Sequence, residues 1–149
     1  MAGYEMIFNE DIYHFKVTCL IDKKDKPYRV IAIEKHKNLT QFAEAILDSF
    51  KFGCNHCFGF YDNMRNWTNA KESYERFVDV DKYFAQDNAK SPNKTTIETV
   101  FSTNKIMLFL FDYGAEWHFK VKLVGKSEPE PKKKYPLILQ ESGKAPKEY

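Results

Sequence analysis

Apolar and polar residues alternate along DIYHFKVTCLI (residues 11–21): Tyr13, Phe15, Val17, Cys19 and Ile21 fall on one face, His14, Lys16 and Thr18 on the other. A period of two is that of a half-buried strand. DKKDKP then supplies turn residues and YRVIAIE (28–34) a returning strand, which predicts a hairpin. The period changes in NLTQFAEAILDSFKFG (38–53). There Leu39, Phe42, Ala43, Ile46, Leu47 and Phe50 form one apolar stripe at helical spacing, predicting a main helix over about 39–52. Asn38 and Gln41 are spaced for a reciprocal capping box, and Gly53 for the left-handed residue that closes a helix.

Residues 56–62 read as a short strand, 63–73 as a polar loop and 74–78 as the returning strand. DVDKYFAQD offers one short helical turn, 88–94 is loop, and TTIETVFST predicts a second short helix at about 95–103, capped by Thr95 or Thr96. Six consecutive apolar residues, Ile106 to Phe111, suit a central strand covered on both faces. Beyond a turn at Tyr113–Gly114, residues 116–124 alternate again, with Trp117, Phe119, Val121 and Leu123 inward and Glu116, His118, Lys120 and Lys122 outward. The charged, proline-bearing stretch 125–134 is expected to run extended on the surface. This order predicts a single α+β domain over 1–149, with a mostly antiparallel sheet and two helices. Its core should include Phe15, Val17, Phe42, Ile46, Leu47, Leu108, Leu110, Trp117, Phe119 and Val121.

Composition narrows the class. The 149 residues are 43% hydrophobic and 30% charged, as in a soluble globular domain with a core of its own. No apolar run reaches the roughly 20 residues needed to cross a bilayer, so no membrane partner is expected. The N-terminal MAGYEMIFNEDIY lacks the apolar segment of a signal peptide. With an odd count of three cysteines, this points to a reduced, cytoplasmic protein. A net charge of +2 gives no global pull toward nucleic acid. Aromatic residues are abundant at 16%; most fall at periodic positions, where packing accounts for them.

Few residues suggest chemistry. Cys54–Asn55–His56–Cys57 is a single C-x-x-C pair, whereas structural zinc wants four ligands. A thioredoxin-type pair opens a helix, and this one follows a helix into a strand. No metal and no disulfide are therefore expected. There is no G-x-S-x-G, no glycine-rich phosphate loop and no H-E-x-x-H, so no cofactor is expected either.

Three stretches together resemble a known family. LTQFAEAILDSFKFGCNHCFGFYD is similar to its helix L-x-x-L-H-x-x-I-x-x-x-F followed by D/N-x-H-L-x-x-F. FLFDYGAEWHFKVKL is similar to its hallmark Y-x-Y-D-F-G-D-x-W, and YPLILQESGKAPKEY to its ending Y-P-x-x-L-x-G-x-G-x-x-P-P-E. The chain thus resembles the Ri-plasmid ORF-three-like family, whose members often carry labels of insertion-element passenger or TnpR-like proteins. The resemblance spans about residues 12–148. It implies that His56 is the retained residue of the Cys54–Cys57 stretch and that Asp112, Gly114 and Trp117 match the hallmark, with Tyr135 and Pro136 in the motif of the ending. Ala115 stands where the family usually has Asp, Phe119 where many members have His, and Lys147 replaces a proline; the glycine-rich ending is missing. The family supplies no established reaction. A serine recombinase would need an arginine cluster, and Arg29, Arg65 and Arg76 are scattered.

The leading expectation is a non-enzymatic binding or interaction module, associated with mobile elements and taking a protein partner. One alternative is a small hydrolase-like enzyme using His56 with Asp112 or Glu116. Another is a nucleic-acid binder using Lys120, Lys122 and Lys132 to Lys134 with aromatic stacking. The expected site is a cleft bordered by Asp112, Glu116 and Trp117 with His56 close by. The competing reading gives Asp112 to its own turn amides, a positive φ to Gly114 and Trp117 to the core.

Overall fold

The computed structural model describes residues 9–21, 24 and 26–148. The stretch 1–8, where the absence of a signal peptide was read, lies outside the described residues, as does part of the turn expected at 22–27. Seven strands form one sheet: β1 (Ile12–Cys19), β2 (Tyr28–Glu34), β3 (Phe58–Tyr61), β4 (Ser73–Glu75), β5 (Ile106–Phe111), β6 (Trp117–Ser127) and β7 (Leu137–Ser142). Their order is β4-β3-β5-β6-β1-β2-β7, and every neighbouring pair is antiparallel. With one main helix, α1 (Leu39–Ser49), and two short ones, α2 (Phe77–Val80) and α3 (Ile97–Phe101), the fold is α+β.

Each element follows from its local residues. The capping box of α1 is complete: the Gln41 amide donates to Asn38 Oδ1 at 2.8 Å and the Asn38 amide to Gln41 Oε1 at 3.0 Å. The helix ends earlier than its apolar stripe suggests. Lys51, not Gly53, takes the left-handed conformation, with φ 60°. The Phe52 amide then reaches back to Leu47 O and the Lys51 amide to Asp48 O, the two bonds of a Schellman turn. The second helix is likewise shorter than 95–103, with Thr96 as its N-cap.

The alternation places two apolar layers. Tyr13, Phe15, Val17 and Cys19 of β1 join Met107, Phe109 and Phe111 of β5 and Phe119 and Val121 of β6 beneath Phe42, Ile46 and Leu47 of α1. The alternate residues of β5 face the other way: Leu108 and Leu110 pack with Tyr61 under Met64, Trp67, Ala70 and Tyr113. So β5 is covered on both sides, the inner by α1 and the outer by the 62–72 loop.

Four expectations need correction. Residues 74–78 do not form one strand; β4 stops at Glu75 and the chain turns into α2. The surface segment does not begin at 125, because β6 continues through Ser127 against β1. A seventh strand, unforeseen in the tail, pairs with β2. Trp117 is only half-buried and packs at the margin of the inner core.

Arg29 locks that last strand to the main helix. It is 4% exposed. It donates to Ser49 O at the end of α1 and to Tyr28 O, Ser142 O and Gly143 O, and it lies over the Phe50 ring at 4.7 Å. A cation at a helix C-terminus is favoured by the helix dipole. Gly143 has φ +83°, and a Cβ there would stand 3.0 Å from Pro27.

Candidate functional site

The turn between β5 and β6 is built by its carboxylates. Asp112 and Glu116 have φ of 61° and 53°, a region Asp tolerates and Glu enters rarely. Gly114 is not among the positive-φ residues, so the role expected of it is filled by the two acids on either side. Asp112 Oδ1 accepts from the Gly114 and Ala115 amides at 3.1 and 3.3 Å, and Asp112 O accepts from the Glu116 amide at 2.6 Å. The Asp112 amide donates to Cys57 O at 2.9 Å, which ties the turn to the entry of β3.

That tie sets His56 beside the turn. Its Nε2 is 3.7 Å from Asp112 Oδ2, and its ring meets Phe111 edge-on at 5.9 Å. Glu116 is turned away from this pair; its Oε1 is 3.3 Å from His118 Nε2. Trp117 meets Phe52 edge-on at 5.0 Å, and its indole nitrogen is buried without a hydrogen-bond partner. The structure therefore brings His56 and Asp112 together, while Glu116 and Trp117 point to different neighbours. Tyr135 and Pro136 lead into β7 through a cis peptide bond.

The cysteines have separate settings. Cys19 is buried in the inner layer, and burial raises its thiol pKa to about 12. Cys54 is exposed and Cys57 half-buried, and all three are free thiols. Burial also raises the Cys54 and Cys57 thiols, against the opposing pull of Arg76, the reverse of an activated redox pair. Among the described residues no three His, Cys, Asp or Glu side chains are grouped to hold a metal ion.

The lysines expected to meet nucleic acid fall into two places. Lys120 and Lys122 lie on the outer sheet face, Lys122 directly across from Lys16 of β1. Lys132 to Lys134 are exposed between β6 and β7, with Lys133 paired to Glu130 at 2.9 Å.

A network that the sequence did not reveal lies on the other side of the turn. Tyr113 enters the outer layer, and its hydroxyl is 2.7 Å from that of Tyr61. Tyr61 donates its proton to Glu75 Oε2, so the bond between the two hydroxyls must be donated by Tyr113. Glu75 Oε1 accepts from the Gln86 amide at 2.7 Å. Gly59 makes room for this: a Cβ there would stand 2.5 Å from the Tyr113 hydroxyl and 2.7 Å from that of Tyr61. Burial first, and then the neighbouring hydroxyl and Glu75, push the Tyr61 pKa far up; burial does the same to Tyr113. Both therefore stay protonated. Beside them opens a cavity of about 550 Å³, walled by Trp67, Phe77, Phe84 and Tyr113 with Glu75 and Gln86 at its polar end. No periodicity announces it, since its walls come from the 62–72 and 75–87 segments and a single turn residue.

Among the described residues no helix is long and apolar enough to cross a membrane. No curated protein matches the chain. A crystal structure of the protein of unknown function MM3350 from Methanosarcina mazei Go1 is similar, with a TM-score of 0.70 and 19% sequence identity over 87% of this chain and 68% of that one. At that identity the likeness speaks for the fold. The family model described as plasmid pRiA4b ORF-3-like protein matches residues 11–149, nearly the whole sequence. The chain belongs to the plasmid pRiA4b ORF-3-like protein family.

Proposed function

We propose that this chain is a non-enzymatic binding module whose site is the cavity entered by Tyr113 of the 111–117 turn. One observation carries the reading: the turn delivers Tyr113 into a cavity of about 550 Å³ that it shares with the rings of Trp67, Phe77 and Phe84. Concave, mostly apolar sites of this size with a few placed polar groups are typical of ligand pockets. The polar groups present are suited to holding a ligand more than to attacking one. The two hydroxyls stay protonated and each Glu75 oxygen already accepts a hydrogen bond. In this reading Asp112 and His56 fix the turn, and Glu116 and Trp117 border it. The family's plasmid name supports an association with mobile elements.

A fragment screen by thermal shift tests this. Hits that stabilise the chain and lose their effect in Trp67→Ala are expected; hits indifferent to Trp67→Ala contradict the assignment. The contact between His56 and Asp112 favours a second reading, a hydrolase-like enzyme. A broad ester, amide and phosphoester screen that finds turnover abolished in His56→Ala would favour that reading over the module.

A further inference from the structure

The charge inside the cavity has the opposite sign to that of the chain. The protein carries a net charge of +2. The cavity is lined by the acids Glu75 and Asp87, with no lysine, arginine or histidine in its wall. Glu75 is 1% exposed. Its hydrogen bonds come from neutral donors, the Tyr61 hydroxyl and the Gln86 amide, and it belongs to none of the ion pairs among the described residues. A buried carboxylate without a cation is costly, and that cost falls when a positive charge sits close by in the same low dielectric.

Four aromatic rings share the rest of the wall with Thr68, Ala70, Ala85 and Gln86. Trp67 and Tyr113 meet edge-on at 5.5 Å, Phe77 lies 4.8 Å from Tyr113, and Phe84 stands 6.0 Å from Phe77. Ring faces attract cations through their quadrupoles, most strongly where water is excluded. Phe84 is 62% exposed at the rim, and its neighbour Tyr83 is 87% exposed, so aromatic surface continues outward to receive what is attached to the cation.

We infer that this cavity is a binding site for an alkylated ammonium group, held by the aromatic walls over the buried Glu75 carboxylate. The alkylated form follows from the hydrogen-bond arrangement. Glu75 is almost fully covered and both its oxygens are engaged, so a ligand gains from ring contact and from the carboxylate's field rather than by donating N–H bonds. A metal ion would want several free oxygen ligands, and both oxygens of the buried Glu75 are already engaged. The inference rests on the cavity being the binding site. The ammonium group can belong to a free choline-like molecule or to a methylated lysine of a protein, and the two sources share this chemistry.

Calorimetric titration of the full chain with choline, with its neutral isostere 3,3-dimethylbutan-1-ol, and with a peptide bearing trimethyllysine tests it. The cationic probes are expected to bind at least roughly tenfold more tightly than the isostere. A preference for choline or for the peptide identifies the source. Phe84→Ala and Asp87→Asn lie at the exposed rim and should fold normally; both should weaken the cationic probes selectively, as should Glu75→Gln if it folds. Isostere binding equal to choline, cation binding unchanged in Phe84→Ala, or no binding of either cationic probe overturns the inference. None of these results alters fragment hits that depend on Trp67, so the broader module reading stands or falls separately.

Discussion

An added methyl group should have opposite consequences at the two glycines nearest the aromatic network. At Gly59 it meets two tyrosine hydroxyls at 2.5 and 2.7 Å, of which Tyr61's is held by Glu75 and Tyr113's by Tyr61. Gly59→Ala is expected to cost about 2–4 kcal/mol in urea unfolding, since a buried network must move. At Gly114 the nearest atom is Asp112 Oδ1 at 3.4 Å, and no positive φ is needed. Gly114→Ala should change stability by less than about 0.5 kcal/mol, despite its place in the hallmark. His14 governs a pH effect. Burial lowers its pKa from 6.5, so as pH falls the unfolded chain takes up this proton first. The His14 contribution to stability is therefore intact above 6.5 and is lost as pH drops from 6.5 through the lower folded value. Urea midpoints at about pH 7.5 and about pH 5.5 should differ less in His14→Gln than in the parent chain.

At the scale of elements, α1 shows what a sequence makes legible and what it leaves hidden. Its stripe and its capping box depend on residues within two turns of one another, and both are read directly. Its end depends on which residue accepts φ > 0, and Lys51 does so because the chain must turn there to bring Phe52 back over Leu47. Gly53, the residue that sequence favours, comes two positions late. Lys51→Gly should stabilise the fold by about 1 kcal/mol, measured by chemical unfolding, because the left-handed strain on a side chain is removed. Strand β7 was illegible for a related reason: LILQES has only exposed or half-buried residues, so burial imposes no strong alternation. What fixes it is Arg29, which joins β7, the following turn and the end of α1 by three hydrogen bonds to carbonyl oxygens. Arg29→Met should cost about 3 kcal/mol in the same assay and expose Leu137–Ser142 amides to early exchange.

For the whole molecule, the two faces of the sheet are covered differently. Its inner face is covered by α1, and its outer face at β3 and β5 by the 62–72 loop that also helps wall the cavity. The nearness of His56 to Asp112 could be anticipated from a shared family pattern. The Glu75–Tyr61–Tyr113 network could not, because it joins two strands and a turn across long sequence separations through residues with no common period. The measurement that tests the account most directly is amide and indole shift mapping by NMR during titration with a fragment hit. The account predicts shifts concentrated on Trp67 to Ala70, Ala85 to Asp87 and Tyr113, with the Trp67 indole signal among the largest. Shifts centred instead on His56 and Cys57, or on the Lys16, Lys120 and Lys122 face, would contradict it.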